Sequence, residues 1–102
     1  MEELPILFLT HDCPACITLC EQINITQTRG AHALPRQNII VLLVPTDSPH
    51  STSEADALGE ADFWDVDTYP SLVLVDTNTV IVGRKLIVQA MKDHGWFTPA
   101  GG

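Results

Sequence analysis

The chain has 102 residues, 45% of them apolar, which is enough for one folded domain and too few for two. Thirteen acids outnumber five lysines and arginines, so the formal net charge is −8 and nucleic acid is not an expected partner. The longest apolar run, residues 39–44, is far shorter than a membrane span, so a membrane is not an expected partner either.

The cysteine count and the start of the chain bear on the compartment. Three cysteines are too few for a secreted disulfide framework, and an odd number leaves at least one thiol unpaired. The acidic start, residues 1–3, lacks the pattern of a secretory signal. We therefore expect a cytoplasmic protein, and we expect it to be a monomer.

The first half of the chain predicts a strand–helix–strand unit. Residues 4–10 form a short apolar run typical of a buried strand, with Pro5 at its beginning. Helical spacing of apolar residues runs from Pro14 to about residue 28, and Gly30 is suited to end that helix. Residues 39–44 are typical of a second strand covered on both faces. Two strands joined through a helix are expected to lie parallel.

A loop, a short helix and a hairpin are predicted next. Residues 45–52 are loop-like, and Ser53 is the expected N-cap of the helix. The apolar side of that helix is expected to comprise Ala55, Leu58, Ala61 and Phe63. Residues 71–75 and 80–82 are rich in β-formers and are separated by a turn-prone tetrad, which predicts a hairpin.

A last helix is expected over residues 85–96, with Leu86, Ala90 and either Ile87 or Met91 on its apolar side. Residues 98–102 are expected to fray. The predicted order is therefore β-α-β-α-β-β-α in a single α/β domain spanning residues 1–97.

A Cys-Pro-Ala-Cys segment stands where the first strand ends and the first helix begins. Two residues separate Cys13 from Cys16, so both sulfurs can approach closely enough to form a disulfide without large backbone movement. The free N–H groups and positive dipole end of a helix start favour a thiolate at Cys13, and a thiolate is the form that attacks disulfides. We expect Cys13 to be the nucleophile and Cys16, one turn further in, to resolve the mixed disulfide.

The predicted order, the Cys-Pro-Ala-Cys segment and the stretch Phe-Trp-Asp-Val-Asp-Thr-Tyr-Pro-Ser over residues 63–71 together resemble the thioredoxin-like superfamily, including small thioredoxins and glutaredoxins. The resemblance covers nearly the whole chain. It implies the minimal form of that fold, a mixed four-stranded sheet covered by helices on both faces. It also implies that Pro70 is cis and faces the two cysteines, that the backbone of Tyr69 pairs with a substrate strand, and that Thr68 helps to shape the same groove.

The activity implied by the resemblance is thiol–disulfide exchange with protein disulfides, in electron transport and cell redox homeostasis, without a cofactor. The electron donor would be a thioredoxin-reductase-like partner or glutathione. Residues 4–10 lack the buried acid of thioredoxins, so proton transfer would need water, His11 or Asp12. The paired glycine and acid of glutathione-binding glutaredoxins are also missing, because Gly83 is followed by Arg84.

Two other interpretations remain open. His11, Cys13, Cys16 and Cys20 include three thiols, which could bind zinc or a subunit-bridging iron–sulfur cluster, although Cys20 is expected to be a small core residue and no metal site is predicted. The chain could instead be a binding module without turnover, using Tyr69 and the acidic stretch from residue 47 to residue 67. That stretch holds seven acids and no lysine or arginine, and it is either a solvated face or a docking surface for a basic partner.

Overall fold

The structure is a computed structural model that describes residues 4–11, 13–45 and 51–96. The parts of the chain that it describes form five strands and three helices: β1 (Ile6–Thr10), α1 (Pro14–Ile23), β2 (Gly30–Ala33), β3 (Asn38–Val44), α2 (Thr52–Phe63), β4 (Ser71–Leu74), β5 (Thr79–Val82) and α3 (Arg84–Asp93). The predicted tail at residues 98–102 and most of the predicted loop, residues 46–50, lie outside these ranges.

The strands form one mixed sheet in the order β2-β3-β1-β4-β5. The central strand β1 runs parallel to β3, whereas the other neighbouring strands are antiparallel. The predicted parallel pairing of the first two apolar runs is thus confirmed. The carboxyl end of β1 leads directly into the segment that contains the cysteines.

Helices cover both faces of this sheet, as predicted. Leu7 and Leu9 of β1 point into a core formed with α1 and α3, which contact each other. Phe8 points to the opposite face and packs in a second core, to which α2 contributes Ala57 and Ala61. Because side chains alternate along a strand, one continuous apolar run in β1 supplies both cores.

The helix α1 is shorter than predicted. It ends at Ile23, because Asn24 adopts a left-handed conformation with φ of 60° and donates its backbone N–H to the carbonyls of Cys20 and Glu21. Gly30, expected to end the helix, instead begins β2 with φ of 126°.

The described sheet contains five strands where four were expected. The additional strand, β2, pairs antiparallel with β3 at the edge of the sheet, with His32 opposite Ile39. Its sequence, Gly-Ala-His-Ala, carries no β-branched or alternating pattern. This segment is therefore a strand because it pairs with β3. Its own sequence does not favour a strand.

The second helix was predicted with the wrong cap and partly the wrong face. Ser51, rather than Ser53, caps α2, since its hydroxyl accepts the backbone N–H of Glu54 at 3.2 Å. The buried residues of this helix are Ala57 and Ala61, whose small side chains allow close approach to the sheet. Leu58, Phe63 and Ala55, all expected on the apolar side, are instead exposed.

The last helix also starts and ends earlier than predicted. It buries Ile87, Val88 and Met91, whereas Leu86 is 64% exposed and was wrongly predicted to be buried. The chain after α3 returns to the core through Trp96, which packs against the α1–α3 side. None of the helices in the described ranges is long and apolar enough to cross a membrane.

Candidate active site around Cys13

Cys13 is the N-cap of α1. Its backbone is extended, its Sγ accepts the backbone N–H of Cys16 at 3.3 Å, and its carbonyl accepts the N–H of Ile17 at 3.0 Å. N-cap acceptors are usually side-chain oxygens of Ser, Thr, Asp or Asn. A sulfur in this position receives an N–H donor and faces the positive end of the helix dipole.

The residues on either side of Cys13 help to hold this geometry. Pro14 occupies the first turn of α1, where its missing N–H leaves no helical hydrogen bond unmade. Thr10, at the end of β1, is buried and donates its hydroxyl to the carbonyl of Val44 at 2.8 Å. This bond ties the end of β1 to β3 just before the turn that leads to Cys13.

The other two cysteines are buried beneath Cys13. Cys16 is fully buried and Cys20 is 3% exposed, whereas Cys13 is half-buried. Burial raises the pKa of Cys16 from 9.0 to about 12. A hydrogen bond with the Cys13 side chain and the charges of Cys13 and Cys20 add to this effect, and a backbone hydrogen bond with Thr10 opposes it. Burial raises the pKa of Cys20 to about 11. Both therefore remain thiols at neutral pH.

The segment before β4 lies against the Cys13 sulfur. The Cys13 thiol donates to the carbonyl oxygen of Tyr69, with Sγ 3.8 Å from that oxygen. The Tyr69–Pro70 peptide bond is cis, as the resemblance implied. Pro70 is buried, and its carbonyl accepts the N–H of Gly83 at 3.0 Å. Gly83 has φ of 97°, a conformation that glycine adopts without steric cost. The start of α3 thus helps to hold the Tyr69–Pro70 segment beside the cysteines.

Tyr69 lies between the two cores and beside charged groups. Its half-buried side chain packs against both hydrophobic clusters. Burial raises the pKa of the Tyr69 hydroxyl, and the negative charges of Asp62 and Asp67 raise it further. Thr68 is exposed, and its hydroxyl donates to a carboxylate oxygen of Asp67 at 3.2 Å.

The structure therefore brings together most of the residues singled out in the sequence. Cys13 and Cys16 meet at the helix start, and Tyr69 and Pro70 lie beside them. His11 is exposed in the turn after β1. Asp12, the other candidate for proton transfer, lies outside the described residues.

The structural roles of two further residues were not identified from the sequence. Gly83 donates to the Pro70 carbonyl, a role that its place between a strand and a helix could have indicated. Phe63 was expected to be buried but is 75% exposed at the end of α2, in the segment that leads to Tyr69. Ala57 and Ala61 are four residues apart and share one face of the helix, whereas Phe63 lies on another face. This spacing could have predicted that Phe63 is exposed.

A metal site needs several ligands in one place. Across the described ranges, no three His, Cys, Asp or Glu side chains are grouped so that they could hold a metal ion. Cys16 and Cys20, two of the thiols considered for zinc, belong to the apolar core between the sheet and α1.

The fold and the site define a mixed α/β protein with a partly accessible thiol at the start of a helix and two buried thiols further along that helix. Comparisons of the chain with protein-family models, with curated proteins and with solved structures found no match. Only the geometry and chemistry of the site therefore bear on the function of this chain.

Proposed function

We propose that the chain is a thiol–disulfide oxidoreductase of the thioredoxin-like kind, which exchanges electrons with protein disulfides through Cys13 and Cys16. The observation that carries the proposal is the position of the Cys13 sulfur. It is partly accessible, accepts the Cys16 N–H and lies 3.8 Å from the Tyr69 carbonyl, while Cys16 lies buried one turn further along the helix.

In the first step, the thiolate of Cys13 attacks one sulfur of a substrate disulfide. A bond forms between Cys13 and that sulfur, the substrate S–S bond breaks, and the other substrate sulfur leaves as a thiolate. Cys16 cannot serve as the attacking group, because it is fully buried and its pKa of about 12 keeps it protonated. The assignment of Cys13 as nucleophile thus depends on the different environments of the two thiols.

In the second step, Cys16 resolves the mixed disulfide. Its sulfur bonds to Cys13, the bond between Cys13 and the substrate breaks, and the second substrate sulfur leaves with that electron pair and takes the Cys16 proton. The first substrate sulfur takes from solvent a proton equivalent to the one that Cys13 lost on ionising. The substrate gains two electrons and two protons in total and becomes a dithiol, while Cys13 and Cys16 become a disulfide. A reductant, either one dithiol or two monothiols, must then return the pair to its reduced form.

The first step itself prepares Cys16 for the second. Burial is the largest cause of the raised pKa of Cys16, but interaction with the Cys13 side chain and the Cys13 charge also contribute. Once Cys13 is bonded to the substrate, its negative charge is gone and those contributions disappear. Cys16 therefore ionises more readily in the mixed disulfide than in the free dithiol.

The segment beside Cys13 is suited to an extended substrate. The Tyr69 carbonyl faces the reacting sulfur, and the neighbouring Pro70 has no N–H of its own to donate. We assign the backbone at Tyr69 to pairing with the substrate chain next to its disulfide, as the family resemblance implies. Thr68 contributes to the exposed rim of that segment.

The reduction of insulin by dithiothreitol tests the proposal. The wild-type chain should accelerate the reaction, and Cys13→Ser should abolish the acceleration. Cys16→Ser should also lose turnover but accumulate a mixed disulfide with substrate, detectable by mass spectrometry. Cys20→Ala, which removes a buried thiol outside the pair, is the matched control and should retain activity.

Equal acceleration by the wild-type chain and Cys13→Ser would contradict the proposal. Acceleration by neither would instead favour a binding module without turnover. We propose that the activity operates in the cytoplasm, where thiols persist in the reduced state. The donor of electrons would be a reductase of the thioredoxin-reductase type or glutathione.

A further inference from the structure

An exposed aromatic side chain stands at the end of α2. Phe63 is 75% exposed and meets the ring of Trp64 edge to face, with ring centroids 5.1 Å apart. Trp64 is half-buried and packs against the core on the α2 side. The Phe63 ring is therefore held against a packed neighbour while one large part of its surface faces solvent.

The backbone after Phe63 is fixed by hydrogen bonds. Val66 donates to the carbonyl of Ala61 at 2.8 Å, Asp65 donates to that of Asp62 at 3.2 Å, and Asp65 adopts φ of 57°. Val66 is buried in the α2-side core. The connection from α2 to Tyr69 thus holds its side chains in a defined arrangement.

This connection is strongly negative. Asp62, Asp65 and Asp67 are all exposed, and the sequence contains no lysine or arginine from residue 37 to residue 83. The last turn of α2 also contains no basic residue, so nothing there offsets the negative end of the helix dipole. The exposed ring of Phe63 therefore lies in a segment whose exposed charged side chains are all negative.

This negative charge lies close along the chain to the reacting centre. Asp67 precedes Tyr69 by two residues, and the Tyr69 carbonyl lies 3.8 Å from Cys13 Sγ. Burial raises the pKa of the Tyr69 hydroxyl, and the charges of Asp62 and Asp67 raise it further. Arg84, at the start of α3, donates from its guanidinium to the side chain of Gln22 on α1, 3.0 Å away. A substrate that approaches Cys13 over the α2–β4 connection therefore meets carboxylates and one exposed aromatic ring.

We infer that the preferred substrates carry lysine or arginine residues next to their disulfide, with the cations against Asp62, Asp65 and Asp67 and an adjacent apolar side chain against Phe63. This inference rests on the proposed function and specifies its substrate class. Charge complementarity of this kind accelerates the encounter of two molecules, and salt weakens it.

The test measures the rate of oxidation of the reduced protein by three disulfides. Two are peptides of equal length with one internal disulfide, flanked either by lysines or by glutamates, and the third is the neutral disulfide of 2-mercaptoethanol. At about 20 mM salt the lysine peptide should react at least about tenfold faster than the glutamate peptide. At about 1 M salt, where screening acts within about 3 Å, the two rates should converge.

Two triple variants identify the surface responsible. Asp62→Asn/Asp65→Asn/Asp67→Asn should reduce the ratio of the lysine to the glutamate rate to about one. The control changes the same net charge at exposed acids away from the connection: Glu21→Gln on α1, Asp76→Asn in the β4–β5 turn and Asp93→Asn at the end of α3. The control should preserve most of the wild-type ratio.

A second pair of peptides tests the aromatic contact. Phe63→Ala should slow the reaction of a lysine peptide that carries leucine beside the disulfide more than that of one carrying serine. Equal slowing of both would remove Phe63 from the binding surface and overturn that part of the inference.

The outcomes separate the inference from the function on which it rests. No reaction of the wild-type protein with any of the three disulfides would reject the proposed function. Reaction with all three at equal peptide rates would leave that function standing and overturn the inference. An equal loss of the rate ratio in the control variant would also overturn it, since the effect would then come from net charge alone.

Discussion

Alkylation of the native, reduced protein should modify Cys13 alone. Cys13 is half-buried at the start of α1, whereas Cys16 and Cys20 are in the core. The reduced protein is treated with a modest excess of iodoacetamide near pH 8. The mass of the intact protein then gives the number of adducts per molecule. Protein unfolded in guanidinium is the control, and it should acquire one adduct on each of its three cysteines.

The size of the expected difference follows from ionisation and from burial. With a pKa of about 12, only about one Cys16 in 10⁴ is ionised at pH 8; with a pKa of about 11, the fraction for Cys20 is about one in 10³. A buried sulfur also needs the structure to open before it reacts. For a domain stable by about 5 kcal/mol, opening through global unfolding alone protects by more than about 10³-fold.

The assay thus has a clear expected result. A single adduct should form quickly, peptide mapping should place it on Cys13, and Cys13→Ser should remain unmodified over the same period. Rapid adducts on Cys16 or Cys20 in the folded protein would refute the reasoning, because they would show that the helix start does not separate one accessible thiol from two buried ones.

Three further predictions concern stability. The free energy of unfolding should decrease as the pH rises from about 9 towards 12, because the pKa values of Cys16 and Cys20 are raised in the folded state. The stability that the two protonated thiols contribute is present in full only below about pH 9. Urea unfolding at pH 7 and pH 10.5 measures the change, and an unchanged midpoint would contradict the prediction. Asn24→Ala should destabilise the protein by about 1 kcal/mol, because Asn24 ends α1 in a left-handed conformation that alanine adopts poorly. Asn24→Gly should destabilise it less, because glycine adopts that conformation without steric cost. Equal losses of stability in the two variants would argue against a conformational cause. Leu19→Ala should lower the free energy of unfolding by about 2–5 kcal/mol, because Leu19 is fully buried. Phe63→Ala should change it by less than about 0.5 kcal/mol, because Phe63 is exposed. A lower melting temperature for Phe63→Ala than for Leu19→Ala would refute the burial assigned to both residues.

The sequence allowed the main elements around the site to be predicted because their signals are local. The apolar run of β1, the Cys-Pro-Ala-Cys segment at the start of α1 and the apolar run of β3 each depend on neighbouring residues. The parallel pairing of β1 with β3 followed from two covered strands joined through a helix. These features placed Cys13 and Cys16 correctly at the beginning of a helix.

Errors concentrated where local signals were weak or competed. Ser53 was the expected N-cap of α2, and only the structure shows that Ser51 accepts the Glu54 N–H instead. Leu86 and Phe63 are apolar, but the packing of α3 and α2 against the sheet left both exposed. Hydrophobicity alone did not identify the buried face of these short helices.

What the sequence determined by itself is the chemistry available: two thiols spaced by one helical turn, a proline-led strand and a chain with excess negative charge. What only the tertiary structure decided is how these parts meet. The 3.8 Å approach of Tyr69 to Cys13 joins residues 56 positions apart in the chain, and the edge strand β2 exists through its pairing with β3. Such contacts depend on the packing of the whole sheet and its helices, because no local pattern of residues specifies which distant segment will lie beside another.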